Sequence, residues 1–515
     1  MMDVELSDLP LTTYVFKHAQ RWPDRPALID GVTGAVISYR ELIGVVCRAA
    51  AGFAAHGVAK GDVVALYSPN RPEFVITYYA ALAAGAVVTT VNPMATAADL
   101  AGQLRSSGAQ WMVTTRELFE QKTSDAVARL REVFVFGTST GGTPFAALLD
   151  EPPGAAPMTE IDADDVALLL YSSGTTGLPK AVVLSHRNLV ASLCQTRLVH
   201  LVRPGDVVIA VLPLFHIYGM QVSLNLALRE GATVITMPRF DLETFLRLVQ
   251  QYRATRVAIV PPIVLALAKQ PVVDDYDLSS LRVITSAAAP LGGELARSCA
   301  DRLGCRVKQG YGMTELGGAT HLAPDTGRED PESIGPALPG VQCRVVDCVT
   351  GADVGPGELG ELLIRTPGAM RGYLNNPAAT ADTVEPDGWL HTGDLVVRDA
   401  EGWFRVVDRR KEVIKYNAYQ VAPAELEAVL LSHPAVADAA VIASPDERSG
   451  EVPKAFVVLS SPASADELLR FVADRVAPYK KVRNVEFIEE IPKSASGKIL
   501  RRVLVERDRA MIAST

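Results

Sequence analysis

The sequence is sparing with cysteine, with aromatic residues and with long apolar runs. It has six cysteines in 515 residues. They lie at Cys47, Cys194, Cys299, Cys305, Cys343 and Cys348. The close pairs 299/305 and 343/348 lack zinc-knuckle spacing, so buried free thiols are expected rather than a disulfide or zinc framework. There is no long basic run and the formal net charge is -9, which argues against a nucleic-acid partner. Excess negative charge also means that any polyanionic ligand must be met by local cations and a metal. The apolar stretch from Tyr78 to Val91 is too short to span a bilayer and is broken at Gly85. Met1 to Pro10 has neither the basic start nor the apolar core of a signal peptide. A cytoplasmic enzyme with no membrane span is expected.

What is present is an ordinary globular composition, 48% hydrophobic and 21% charged, in a chain long enough for two or more domains. Apolar strand-like runs alternate with helical segments. A capping box at Ser38-Tyr39-Arg40-Glu41 opens a helix to about His56. Strands are expected at 62–68, 87–91, 207–212, 233–237, 257–260 and 283–285. That alternation predicts α/β layers around largely parallel sheets. From Val341 short strands separated by Gly and Pro turns predict a β-rich subdomain. From about Asp408 a compact α+β unit begins, with helices at 423–432 and 465–476. The expectation is therefore a large multi-sheet N-terminal domain over residues 1–407 and a small α+β domain over 408–515.

The segment Ser172-Ser173-Gly174-Thr175-Thr176-Gly177-Leu178-Pro179-Lys180 stands between two apolar strands, Leu168–Tyr171 and Ala181–Leu184. Its spacing is not that of the P-loop. The chemistry is analogous: glycines let backbone N–H groups approach phosphate oxygens, four hydroxyls add donors and Lys180 adds a cation. The segment resembles the signature of the adenylate-forming superfamily, which holds acyl-CoA synthetases, luciferases and peptide-synthetase adenylation domains. Further segments match in family order: Pro213 to Gly219, Gln309 to Glu315, Gly388 to Asp394, Val407 to Glu412 and Pro492 to Lys498. The closest likeness is to the 4-coumarate–CoA-ligase-type branch.

The resemblance implies an AMP-forming carboxylate ligase using ATP and Mg²⁺, with CoA as co-substrate. A carboxylate attacks the α-phosphate of ATP and pyrophosphate leaves. Both reactants are anions, so charge must be screened and the attack aligned. Ser172, Ser173, Gly174, Thr175, Thr176, Gly177 and Lys180 are expected on the phosphates. Gln309, Gly310, Tyr311, Gly312 and Thr314 are expected along the nucleotide, with Tyr311 offering its ring to adenine and Thr314 a hydroxyl to the α-phosphate. Glu315 is the expected Mg²⁺ ligand. Asp394 and Arg409 are expected at the ribose. Lys498, on a small-residue loop, is expected to bridge carboxylate and α-phosphate, with Lys415 alongside. His216, Tyr218, Val222, Ala287, Ala288, Gly310, Gly317, Leu322 and Gln420 are expected around the acyl group. Asp408 is the expected hinge about which a mobile lid rotates between two poses.

Three positions depart from the family pattern. Ala181 stands where Gly usually follows the lysine, and an extra methyl lies near Ala287. The turn at Asn417-Ala418 normally reads Lys-Gly or Gly-Gly and faces the pantetheine tunnel. Two acyl acceptors therefore stay open. One is CoA, with Arg239 placed to meet its nucleotide; the other is an amine that attacks the adenylate directly. The small apolar pocket residues suit an aromatic or arylacrylic acid.

Overall fold

The computed structural model describes residues 4–122, 127–137, 141–152, 159–172, 179–416, 419–446, 449–494 and 497–513. Two eight-stranded, mostly parallel sheets carry most of the N-terminal part. In one, the spatial order is Gly318–Leu322, Arg306–Met313, Val283–Ser286, Arg256–Ile259, Val207–Ala210, Thr233–Thr236, Pro26–Asp30 and Val36–Ser38. The central strands are near-continuous apolar runs because helices cover both faces of a parallel sheet. In the other, the order is Gly372–Tyr373, Lys180–Ser185, Val166–Ser172, Val87–Val91, Val63–Tyr67, Trp111–Thr115, Glu132–Phe136 and Thr143–Pro144. The expected capping box is present: Ser38 and Glu41 satisfy each other's backbone N–H groups, and the helix runs Tyr39–Ala55.

A five-stranded antiparallel sheet forms the β-rich subdomain. Its strand Trp403–Arg409 pairs with Leu390–Arg398 so that Asp394 faces Arg409 and Leu395 faces Asp408. The sheet thus holds the chain through Arg409, two residues past the boundary expected from texture, and Asp408 sits in the end of a strand. Beyond it lies the small domain. It has a sheet of Tyr419–Val421, Ile414–Tyr416, Gly450–Leu459, Val436–Asp446 and Asn484–Phe487. Its helices are Pro423–Ser432, Ala465–Ala473 and Arg501–Ala513. It has its own apolar core around Leu426, Val441, Val457 and Leu468. The last helix was not expected: charged residues interrupt its apolar ones, and its buried face carries Asp508, which pairs with Lys454 (2.8 Å).

The small domain is docked on the large one. Lys269 Nζ donates to the Leu431 carbonyl (2.8 Å). Asp408 accepts from the Arg409 N–H (2.7 Å) and from the Ala424 N–H (3.1 Å) in the first turn of helix Pro423–Ser432. Burial pushes the Asp408 carboxyl up to about 6. All six cysteines are unpaired; three are buried and three half-buried. Burial pushes the Cys299, Cys305 and Cys343 thiols up to about 12, which keeps them unreactive. Among the described residues no helix is long and apolar enough to cross a membrane.

Candidate active site

The strands Val166–Ser172 and Lys180–Ser185 form the expected antiparallel hairpin, with Ser172 opposite Lys180 at its mouth. Ser173, Gly174, Thr175, Thr176 and Gly177 lie outside the described residues. Glu315 follows the strand Arg306–Met313 in a short 3₁₀ turn and is buried. Its Oε1 accepts from Ser172 Oγ (2.8 Å) and from the Tyr373 hydroxyl (3.0 Å). The Lys180 ammonium lies 4.9 Å from the centre of the Tyr373 ring.

A second cluster forms where the subdomain sheet meets this strand. The Tyr311 hydroxyl donates to Asp394 Oδ2 (2.5 Å), and Arg409 Nε lies 3.3 Å from Asp394 Oδ1. Burial raises the Asp394 carboxyl above its usual range, while Arg409 pulls the other way. Glu361, buried, steadies this corner: it accepts from the Gly393 N–H (3.2 Å) and pairs with Arg410 (2.8 Å). Tyr311 thus has its hydroxyl engaged, and its ring meets His321 edge-on at 5.8 Å.

Lys498 arrives from the small domain. Its loop is closed locally: Ser494 N–H donates to the Lys498 carbonyl (2.8 Å) and Lys498 N–H to Ser494 Oγ (3.1 Å). Gly497 permits the turn, with φ +77 and no room for a side chain, since a Cβ would stand 2.9 Å from Val260 of the large domain. The ammonium is buried, which lowers its pKa. Arg409 lowers it further, whereas Asp394 and Glu315 oppose the shift. The cation from one domain thus stands in the field of both carboxylates of the other.

His216 faces Lys498. Burial, then the Lys498 charge, lowers the imidazole to about 4, so it is neutral near pH 7. Its Nδ1 accepts from the Tyr218 N–H (3.4 Å), which assigns the proton to Nε2. With Leu212, Pro213, Tyr218, Gly219 and Val260 it lines a narrow apolar cleft of about 10 Å³. The Tyr218 hydroxyl donates to the Thr285 carbonyl (2.9 Å). From Gly219 to Asn225 the helix is a π-helix, a form that recurs at functional sites. Gly219 is obligatory there, because a Cβ would stand 2.5 Å from the Pro213 carbonyl oxygen.

The other expected residues take the following places. Gln309 was expected on the nucleotide, but its amide is spent as a brace on the Leu291 carbonyl (3.0 Å) and the Pro331 carbonyl (2.6 Å). Leu322 was expected in the acyl pocket; it is buried in the main core, opposite Gly310 on the ladder. Tyr218, Val222 and Ala288 do pack together around the other core cluster. The Gly317 carbonyl accepts from Gln221 Nε2 (2.9 Å). Thr314 is buried at the start of the Glu315 turn. Lys415 and Arg239 are exposed. Asn417, Ala418 and the Gln420 side chain lie outside the described residues. Sequence reasoning missed Tyr373, Glu361 and Gln221. Each contacts a residue far away in the chain, and no local motif marks it.

The family model described as AMP-binding enzyme matches residues 15–374, and the model described as AMP-binding enzyme C-terminal domain matches residues 425–498. The chain belongs to the AMP-binding enzyme family. As an enzyme it is of the AMP-forming acid–thiol ligase class. A 4-coumarate–CoA ligase from Pinus taeda is 42% identical over 521 residues, covering 98% of this chain and 96% of that protein. The crystal structure of the anthranilate CoA ligase AuaEII in complex with anthranoyl-AMP superposes with a TM-score of 0.91 at 26% identity, covering 98% of both chains. The amide bond synthetase McbA from Marinactinospora thermotolerans does so with 0.86 at 27% identity, covering 97% of this chain and 99% of that one.

A divalent cation fits this AMP-binding site. Among the described residues no group of three His, Cys, Asp or Glu side chains could cage a metal. Mg²⁺ needs none: it keeps waters and takes one or two carboxylates together with substrate phosphates. Both hydroxyl donors fall on Glu315 Oε1, which leaves Oε2 the oxygen to offer.

Two outcomes are expected of the cleft. Ala288 holds a left-handed backbone, φ +74, inside the acyl segment. That conformation costs a non-glycine residue about 1 kcal/mol. Ala288→Gly should therefore raise the unfolding free energy by roughly that amount and admit bulkier acids, checked by urea titration and an acid panel. The second concerns acid lability. His216 binds a proton near 6.5 when unfolded but only near 4 when folded, so stability is lost as pH falls through that window. His186 (about 4) and His321 (about 3), also lowered by burial, act in the same direction. His216→Gln should show a smaller drop in Tm between pH 7 and pH 5 than the parent chain.

Proposed function

We propose that the chain activates an aromatic or arylacrylic carboxylic acid as its acyl-adenylate and passes the acyl group to CoA. In the first step a carboxylate oxygen bonds to the α-phosphorus of ATP, and the bond to the β-phosphate bridging oxygen breaks, releasing pyrophosphate. In the second, the CoA thiolate sulfur bonds to the acyl carbon and AMP leaves. Lys498 carries the reading for the first step. Its ammonium, in the field of Asp394 and Glu315, is suited to neutralise charge on both reactants as they meet. Asp394 and Arg409 serve the ribose, and the Ser172–Lys180 hairpin serves the phosphates. A divalent cation held at Glu315 would screen the departing pyrophosphate. The neutral His216 donates from Nε2 and closes the cleft beside the carboxylate. We assign residues 1–407 to nucleotide and acid binding and 408–515 to a lid that turns at Asp408.

The aromatic acid is supported by the apolar, half-buried Tyr218, Val222 and Ala288, which pack against one core cluster. The names of the relatives, 4-coumarate and anthranilate ligases, point the same way. The CoA acceptor is supported by the run of 4-coumarate–CoA ligases among the relatives. Asn417-Ala418, in place of Lys-Gly or Gly-Gly, favours a second reading in which an amine takes the acyl group, as the name of the Marinactinospora relative describes.

The test is pyrophosphate release over a panel of cinnamates, benzoates and aliphatic acids, followed by product analysis with CoA or with an amine. Thioester formed from an aryl acid supports the first reading. Release of pyrophosphate with no thioester, and amide on adding amine, replaces it with the second. No acid-dependent release with any acid removes both.

A further inference from the structure

Tyr373 touches two groups expected to act on the nucleotide, although it lies in none of the matched segments of the sequence. Its strand, Gly372–Tyr373, pairs with the second strand of the phosphate hairpin, placing Tyr373 opposite Val182. Its backbone N–H donates to Thr380 Oγ1 (2.9 Å), and the next N–H, of Leu374, donates to the Ala181 carbonyl (2.8 Å). The backbone is therefore pinned on both sides. From this fixed point the phenol donates to Glu315 Oε1 (3.0 Å), and the ring face meets the Lys180 ammonium at 4.9 Å. A phenol is a donor at neutral pH, and a carboxylate can only accept. With Ser172 Oγ on the same oxygen, Oε1 is taken twice and the carboxylate's rotation is set. The ring face supplies a cation–π seat for a lysine that would otherwise sweep a wide volume.

We propose that Tyr373 is a positioning residue for the metal–nucleotide complex. Its hydroxyl turns Glu315 so that Oε2 meets the divalent cation, and its ring holds Lys180 beside the phosphate hairpin until the triphosphate takes the ammonium. The two halves separate by substitution. Tyr373→Phe keeps the ring and removes the hydroxyl, whereas Tyr373→Leu removes both.

The proposal rests on the adenylation reading, so acid-dependent pyrophosphate release by the parent chain is established first; its absence would sink that reading rather than this one. Binding is then measured by calorimetry with ATP and no acid, titrating Mg²⁺ or Mn²⁺. Tyr373→Phe should raise the half-saturating metal concentration about fivefold or more. It should leave ATP affinity at saturating metal within about twofold of the parent, because the cation–π seat remains. Tyr373→Leu should also weaken ATP about tenfold at saturating metal, and it should add little to Lys180→Gln. In steady state the loss should appear in KM for ATP and in metal activation, with kcat nearly kept. Unchanged metal dependence in Tyr373→Phe overturns the proposal. So does an equal, metal-independent loss in both variants, which is the signature of a structural role only. Should Tyr373→Leu fail to fold, Tyr373→Phe alone decides.

Discussion

Lys498→Ala should lower the rate of adenylate formation by on the order of 10³-fold, about 4 kcal/mol of transition-state stabilisation. The magnitude follows from the position. The ammonium is buried beside His216, in the field of Asp394, Glu315 and Arg409, where little water screens it. It reaches this cluster from the small domain, held by a turn at Gly497 whose added Cβ would stand 2.9 Å from Val260. Stability should change little, because the side chain sits at the domain junction and in neither apolar core. The check is acid-dependent pyrophosphate release together with ATP binding. Loss of release with ATP binding retained within a few-fold is the expected pattern. Release at near-parent rate would remove Lys498 from the chemistry.

Asp394→Ala should be damaging in a different way. The carboxylate is buried, accepts a 2.5 Å hydrogen bond from Tyr311 and pairs with Arg409. Removing it takes the acceptor from the half-buried Tyr311 hydroxyl and the ion-pair partner from Arg409. Breaking one side of such a pair costs about 3 kcal/mol. ATP binding should fall by about 10²-fold through the lost ribose acceptor, and Tm should fall as well. Asp394→Asn should recover part of the Tm, since an amide oxygen can still accept from Tyr311, yet leave ATP binding weak. Calorimetry with ATP beside a melting curve for each variant separates the two effects. Full ATP affinity in Asp394→Ala would contradict the ribose assignment.

Much of the site was legible because its motifs are contiguous. The hairpin around Ser172 and Lys180 needs only a strand, a turn and a strand, all within one stretch. Asp394 and Arg409 were both singled out by matched segments, and the structure pairs them on adjacent strands of one antiparallel sheet. The helix Pro423–Ser432 was legible from its proline start and apolar spacing. Gln309 shows the opposite case. Its place in a matched motif suggested the nucleotide, but the register of strand Arg306–Met313 turns its amide into the protein, where buried carbonyls claim it. Leu322 is a similar case, because its side of the ladder could not be known before the pairing with Gly310 was.

The sequence by itself determined the family and the class of enzyme. The matched segments are specific residue types at set spacings, and those spacings survive in the linear order. Tertiary structure alone decided how these groups are held. Tyr373 reaches Glu315, Glu361 reaches Arg410 and Gln221 reaches Gly317 between segments far apart in the chain. The same is true of the left-handed backbone at Ala288 and of the neutral imidazole at His216. These follow from close packing and burial, which depend on which distant segments meet, and no local pattern of residues encodes that meeting.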